Sequence, residues 1–134
     1  MSALTLNPAQ LSRLLDEAFQ ADWESLHSAL ATVEGQPHPR IGWLTQHLSV
    51  TKRGYWQALS EVLPISPVPP ELDLDGLCRW EVAAAAALSP EQLETLLTYS
   101  GTPMTVGDLL RVNIRHTVWH AGQIAALGRV PRMA

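Results

Sequence analysis

Apolar residues recur at a helical spacing along most of this chain. The pattern predicts four helices, at about residues 7–35, 40–62, 73–88 and 105–128. The starts of the first and last helices are the best defined. Asn7 and Pro8 suit the N-cap and the first helical position, and Thr105 with Asp108 resembles a capping box. Helical periodicity therefore accounts for most of the sequence.

Proline and glycine mark the connections between the predicted helices. Residues 35–39 form the first connector, and residues 64–70 hold four prolines and cannot be helical. Ser100-Gly101 lies between two short β-prone segments and gives a weak hairpin signal. Four helices with short connections and one longer Pro-rich crossover indicate an all-α fold, a four-helix bundle. We expect it to form a single domain over residues 1–134.

The composition favours an assembled protein that does not bind nucleic acid. Hydrophobic residues make up 46% of the 134 residues and charged residues only 16%, where about a quarter is usual. With so few charges, some apolar surface is expected to be covered by a second subunit, so we expect a homodimer. The net charge is −4 and Lys and Arg do not cluster, which argues against a nucleic-acid partner.

The sequence also predicts a cytoplasmic location without membrane contact. The longest apolar run, Val82 to Leu88, is seven residues and too short to span a membrane. No basic segment followed by an apolar stretch begins the chain, so we expect no signal peptide. Cys78 is the single cysteine and fits a reducing compartment. A small buried hydrophobe is a simpler role for Cys78 than a nucleophile.

The last predicted helix carries a polar stripe on its apolar face. Asn113, His116, His120 and Gln123 recur at spacings of three and four residues and therefore share one side of the helix. Buried polar groups need partners, and two imidazoles four residues apart can reach one metal ion. The pattern is not that of a zinc protease, which needs a glutamate where Thr117 stands.

Two other residues could complete a metal site. His47 lies on the flank of the second helix's apolar face, where a histidine is more often a hydrogen-bonded core residue than a ligand. Together with His116 and His120, it would give three imidazoles on facing helices and leave a metal open positions. Asp22 interrupts the apolar face of the first helix; it could support the site or lie partly exposed at a bend. From the residues alone, a metal site and a hydrogen-bonded polar core are equally open.

The chain resembles the DinB/YfiT-like four-helix-bundle superfamily over almost its whole length. Two segments carry the resemblance: residues 42–48, Gly-Trp-Leu-Thr-Gln-His-Leu, and residues 116–124, with the pattern His-x-x-x-His-Ala-Gly-Gln-Ile. The Pro-rich crossover and the break at Ser89-Pro90 are similar too. The superfamily often has arginine where this chain has Ala121. We expect that position to face outward, so that the change affects only the surface.

The resemblance implies a metal site and an enzyme. Members typically bind a divalent ion, nickel or zinc among others, through one histidine on the second helix and two on the last. These residues are here His47, His116 and His120. Known activities in the superfamily include S-transferases and isomerases that use a low-molecular-weight thiol, and metal-dependent hydrolases.

The expected chemistry follows from a metal with open positions, which lowers the pKa of a bound water or thiol. We expect either thiol transfer to an electrophilic carbon or hydrolysis of a small-molecule substrate. Asn113 and Gln123 are the candidates for orienting imidazoles or water, with Asp22 a weaker one. No carboxylate follows either histidine of the pair as an obvious base; Asp22 and Glu81 are the nearest candidates for a catalytic base, and both are weak. The alternatives are a bundle that binds a metal or small ligand without catalysis, in a stress response, and a metal-free module with a polar core.

Overall fold

The structure, a computed structural model, describes residues 6–34 and 38–128. Its helices are α1 (Pro8–Gln20), α2 (Leu26–Thr32), α3 (Pro39–Ser60), α4 (Leu74–Ala86), α5 (Pro90–Leu93) and α6 (Val106–Leu127). Strands β1 (Leu96–Tyr99) and β2 (Thr102–Thr105) lie between α5 and α6. The α1–α2 pair, α3, α4 and α6 form the bundle. The predicted all-α fold is therefore confirmed, with a small hairpin added.

The first predicted helix is two helices. α1 ends at Gln20, and the chain bends through residues 22–25 before α2 begins. Glu24 has a positive φ of 55°, an uncommon conformation for a residue with a side chain. Ser25 then caps α2 in a capping box with Ser28. The prediction of one continuous helix was wrong because the apolar period continues through the bend, and because this box lacks the usual Glu or Gln.

The hairpin determines where α6 begins. β1 and β2 pair antiparallel, with Leu96 opposite Thr105, and Gly101 takes a positive φ of 80° in the turn. The weakly predicted hairpin is confirmed. Thr105 ends β2 and caps α6: its hydroxyl accepts from the Asp108 N–H, and the Asp108 carboxylate accepts from the Thr105 N–H. The predicted capping box is also confirmed.

The crossover between α3 and α4 is extended, as its prolines require. Arg53 on α3 holds it in place, since its guanidinium donates to the carbonyls of Pro69 at 3.2 Å and Leu72 at 2.7 Å. A long side chain that satisfies backbone carbonyls in this way replaces the hydrogen bonds that an extended segment lacks. The crossover therefore has a fixed path across the bundle.

The apolar core is in two halves with a polar layer between them. One half surrounds Tyr55 and Leu110, and the other surrounds Leu48 and Ile124. Along α3, the buried residue between the two halves is Lys52. Because the start of α3 shares a half with the end of α6, these two helices run antiparallel. The polar layer and the histidines lie where α3 faces α6.

Ala121 corrects one expectation. It is 2% exposed, in the second half of the core, so the expectation that it faces outward was wrong. The break after α1 is the physical reason, since it lets α2 pack against α6 and cover this position. The neighbouring Gly122 is exposed, as are Arg111 and Arg115.

Large apolar side chains are exposed on several elements: Trp23, Trp43, Val50, Leu96 and Trp119. A second subunit could cover some of them, and the homodimer stays a prediction. None of the helices in residues 6–34 and 38–128 is long and apolar enough to cross a membrane. Residues 35–37 of the predicted connector lie outside the described residues.

Candidate metal centre

Three histidines predicted to be ligands come together where α3 packs against α6. His47 projects from α3, and His116 and His120 lie one turn apart on α6. One ring nitrogen from each lies within 4.8 Å of the other two. His116 Nε2 and His120 Nε2 are 2.9 Å apart. All three side chains are partly exposed, so a small molecule can reach them from solvent.

The donor set fits a divalent metal ion. A tetrahedral zinc with Zn–N bonds of about 2.0 Å holds its ligand nitrogens about 3.3 Å apart. The His116–His120 separation is 2.9 Å, and no separation among the three ligand nitrogens exceeds 4.8 Å, so small side-chain rotations would bring all three nitrogens into range. Three imidazoles suit zinc, nickel, copper or iron better than magnesium or calcium. Three protein ligands also leave positions for water or substrate, which is typical of catalytic sites.

The electrostatics favour neutral imidazoles, the form that binds metals. Burial, followed by the charges of His120, His47 and Lys52, lowers the pKa of His116 to about 4. Burial and the charge of His120 lower the pKa of His47 as well. Protons therefore compete weakly for these two side chains near neutral pH.

Gln123 contacts one histidine of the site. His120 Nδ1 donates to Gln123 Oε1 at 2.6 Å, which turns the other ring nitrogen, Nε2, toward His116. His116 has no such support, because its Nδ1 is the buried side-chain polar atom without a partner among the described residues. One imidazole is thus held in orientation, while the other keeps an unsatisfied nitrogen that an ordinary folded core would pair.

Asn113 lies in a different polar group. It joins a buried ion pair: Lys52 Nζ donates to Glu81 Oε2 at 2.5 Å and to Asn113 Oδ1 at 2.8 Å. Asn113 Nδ2 donates to Glu81 Oε1 at 2.8 Å, and Trp56 Nε1 donates to the same oxygen at 3.0 Å. Lys52 and Glu81 are each 1% exposed. We call these four residues the ion-pair network; Asn113 hydrogen-bonds within it and not to the histidines.

Sequence reasoning missed the ion-pair network, although a signal was present. Lys52 stands in the apolar period of α3, between Leu48 and Leu59, and Glu81 stands between Cys78 and Ala85 on α4. A charged residue at such a position is rarely buried unless it is paired. Two opposite charges on the apolar faces of two helices were therefore a sign of a buried pair.

Asp22 is placed away from the histidines. It is exposed in the bend between α1 and α2, where it lines a groove with Ala21 and Gly122. Two roles were left open for Asp22, support of the metal site and exposure at a helix bend. The structure agrees with the second. A carboxylate at the bend has no contact with the three histidines in the described part of the chain.

Aromatic residues surround the histidines. The Trp43 ring stacks on His47, with centroids 5.0 Å apart and an interplanar angle of 5°. The Arg40 guanidinium carbon lies 4.4 Å from the centroid of the Trp43 ring. Tyr55 presents its ring to His116 edge-on at 6.0 Å, and burial raises the pKa of its phenol to about 12. Tyr55 is therefore a neutral wall of the site at physiological pH.

A comparison with protein-family models gives one result. A model described as the DinB superfamily matches residues 4–124. The match includes both histidine-bearing segments and runs through the Pro-rich crossover and the hairpin. Comparisons with curated proteins and with solved structures gave no match.

Proposed function

Because this chain belongs to the DinB superfamily, we propose that it binds one divalent metal ion through His47, His116 and His120. We propose further that it uses this ion in catalysis. One observation carries the proposal: three imidazoles from two helices converge within 4.8 Å. Zinc and nickel are the ions we expect, because both accept nitrogen ligands in sites of this kind. Open positions beside three histidines suit catalysis better than a purely structural role.

The reaction we propose first is transfer of a low-molecular-weight thiol to a small electrophilic substrate, with hydrolysis second. When bound, the metal supplies Lewis acidity that ionises a thiol or water near neutral pH. Gln123 holds His120 in orientation, and the neutral Tyr55 closes one side of the site. Glu81 is buried with both oxygens hydrogen-bonded, so it is not free to act as a base for hydrolysis. A thiol, with a pKa of about 8.5, needs a much smaller shift than water, with a pKa of about 15.7, and this favours transfer.

The alternative is a bundle that binds a metal or small ligand without catalysis. The partial exposure of the histidines and the unpaired His116 Nδ1 suit either role. The two functions differ in turnover, not in metal binding. A direct assay can therefore separate them.

The test uses protein purified without nickel affinity chromatography and loaded with zinc or nickel. Conjugation of glutathione or cysteine to 1-chloro-2,4-dinitrobenzene is followed spectroscopically, and ester hydrolysis is followed in parallel. We expect metal-dependent conjugation that is lost in His120→Gln and retained in Asp22→Asn, which keeps all three histidines. Metal binding without turnover in either assay would favour the non-catalytic bundle. Failure to bind any divalent ion would leave only the metal-free module.

A further inference from the structure

The three histidines of the site differ in what holds their rings in place. His120 is oriented by a hydrogen bond, since its Nδ1 donates to Gln123 Oε1 at 2.6 Å. The more buried His116 ring packs against the His120 ring, with centroids 4.3 Å apart. The His47 ring makes no hydrogen bond within residues 6–34 and 38–128, and it is partly exposed. Its orientation therefore has to come from packing.

Trp43 is the side chain that lies flat against the His47 ring. The two residues are four apart on α3 and therefore share one face of the helix. Their ring centroids are 5.0 Å apart and their planes differ by only 5°. Turning the imidazole about its χ2 bond would drive its edge into the indole, so the stack restricts that rotation. The plane of the imidazole sets the direction in which its nitrogens point.

Arg40 packs on the other side of Trp43. Its guanidinium carbon lies 4.4 Å from the centroid of the indole, which is a cation–π contact. Arg40 comes one turn before Trp43 and His47 one turn after it, so the guanidinium and the imidazole cover opposite faces of the indole. Although Trp43 is 51% exposed, both of its faces are occupied. Support of a neighbouring ring explains this arrangement better than contact with a substrate.

We propose that Trp43 is a positioning residue, which holds His47 in the orientation that binds the metal ion. This role rests on the proposed function, because the ion belongs to that function. A ligand side chain that can leave its binding orientation lowers the apparent metal affinity by the fraction of time it is misplaced. A histidine on a helix has about two or three χ1 wells and about two ring orientations, so roughly one conformation in four to six is competent without support.

The experiment compares the zinc affinity of the wild-type protein with that of Trp43→Ala and Trp43→Phe, which all keep the three histidines. Competition with a chelating dye measures the affinities. We expect Trp43→Ala to weaken zinc binding by about three- to sixfold, because the His47 ring is then free to turn. Trp43→Phe retains a flat ring in the same place and should restore most of the affinity.

Trp119→Ala is the matched control. Trp119 is 69% exposed on α6 and makes no ring contact with the three histidines in the part of the chain that the structure describes. Its replacement should leave zinc affinity unchanged. Thermal unfolding of the metal-free variants separates positioning from folding, since Trp43→Ala should melt close to Trp119→Ala. Zinc affinity that is unchanged in Trp43→Ala, or lowered equally in Trp119→Ala, would overturn the proposal.

Fluorescence gives a second readout. The chain has five tryptophans, and Trp43 is the one stacked on a proposed ligand in the described residues, so copper(II) bound at the site should quench its emission most. Trp43→Phe should therefore lose a larger share of the quenched emission than Trp119→Phe, and the reverse order would contradict the stack. A wild-type protein that binds no zinc would overturn the proposed function and this role together. Equal zinc binding by the wild type and Trp43→Ala would overturn this role alone.

Discussion

Two polar groups connect α3 with α6, the ion-pair network through Glu81 of α4 as well, and they differ in exposure and in how fully they are hydrogen-bonded. In the ion-pair network, Lys52 and Glu81 are 1% exposed and the Glu81 carboxylate accepts three hydrogen bonds. In the histidine site, the side chains are partly exposed, and His116 Nδ1 is buried without a partner among the described residues. The ion-pair network satisfies its polar atoms within itself, whereas the histidine site leaves one buried nitrogen unpaired.

The comparison separates a structural role from a chemical one. A buried polar group whose members are all hydrogen-bonded fixes how helices pack, and removing one of its two charges leaves the other buried and unpaired. A polar group with nitrogens left free contributes less to folding and is suited to binding. Asn113 and His116 are three residues apart on α6, yet they belong to opposite kinds of group. Sequence proximity therefore did not decide which role each residue has.

Breaking the ion-pair network should have the largest effect on stability. Lys52→Met leaves the Glu81 carboxylate buried without its cation, and we expect a loss of about 3–5 kcal/mol in the free energy of unfolding. Urea denaturation measures it. The control is the double variant Lys52→Met, Glu81→Leu, which removes both charges and should lose less than the two single variants combined. A loss below about 1 kcal/mol in the single variant would mean that the pair is not buried in solution.

Removing a histidine should weaken metal binding strongly and change the stability of the metal-free protein much less. A ligand that binds only the folded state at a hundred to a thousand times its Kd stabilises that state by about 3–4 kcal/mol. We expect zinc to stabilise the wild-type protein on this scale, with about one ion per chain. His47→Ala, His116→Ala and His120→Ala should lose this gain and bind metal orders of magnitude more weakly, while their metal-free stability changes much less. Elemental analysis and thermal unfolding with and without chelator test this, and full occupancy in His47→Ala would exclude His47 from the site.

Acid should remove the same metal-dependent gain. In the unfolded chain a histidine has a pKa of about 6.5, whereas in the folded protein burial and neighbouring charges lower the pKa of His116 to about 4. The unfolded state therefore takes up more protons between these values. The stability linked to a neutral His116 is fully present above about pH 6.5 and is lost as the pH falls toward 4. Bound metal also requires neutral imidazoles, so it adds to this loss.

The observable is the difference in melting temperature between metal-loaded and metal-free protein, measured from about pH 7.5 down to about pH 3.5. We expect this difference to shrink as the pH falls from about 6.5 toward 4, because the pKa values of His47 and His116 are lowered in the folded protein. A difference that stays constant over the range would mean that histidines do not hold the ion. The Lys52→Met variant is an internal control, because it retains all three histidines. In its folded fraction, the difference in melting temperature between metal-loaded and metal-free protein should shrink in the same way.

The smallest expected effect concerns the orientation of His120. Gln123→Ala removes the acceptor of the His120 Nδ1–H, and loss of such a support typically weakens metal binding by about 10- to 100-fold. The matched control is Asp22→Asn, which changes an exposed polar residue in the bend and should alter stability by less than about 0.5 kcal/mol. Competition with a chelating dye measures both affinities. Equal metal affinity in Gln123→Ala and the wild type would show that the His120 contact is incidental.

Local sequence was enough to predict most helices and the histidine pair on the last of them. The capping box at Thr105 and Asp108, the prolines of the crossover and the turn at Gly101 each specify a backbone conformation through nearby atoms. The i,i+4 spacing of His116 and His120 is fixed once the helix exists. His47 was added to the predicted site because it lies on a neighbouring helix and because the chain resembles a known family. No local sequence rule places it there.

Only the tertiary structure determined which polar residues are buried with all their hydrogen bonds formed and which are partly exposed. The bend at residues 22–25 turns α2 over α6, and that packing buries Ala121 and leaves Asp22 at the surface. Glu81, which is 32 residues from Asn113 in sequence, takes it into the ion-pair network. Helical periodicity specifies the face on which a side chain lies, but it does not specify what lies opposite. A hydrogen-bond partner on a distant segment therefore appears only when the helices are packed together.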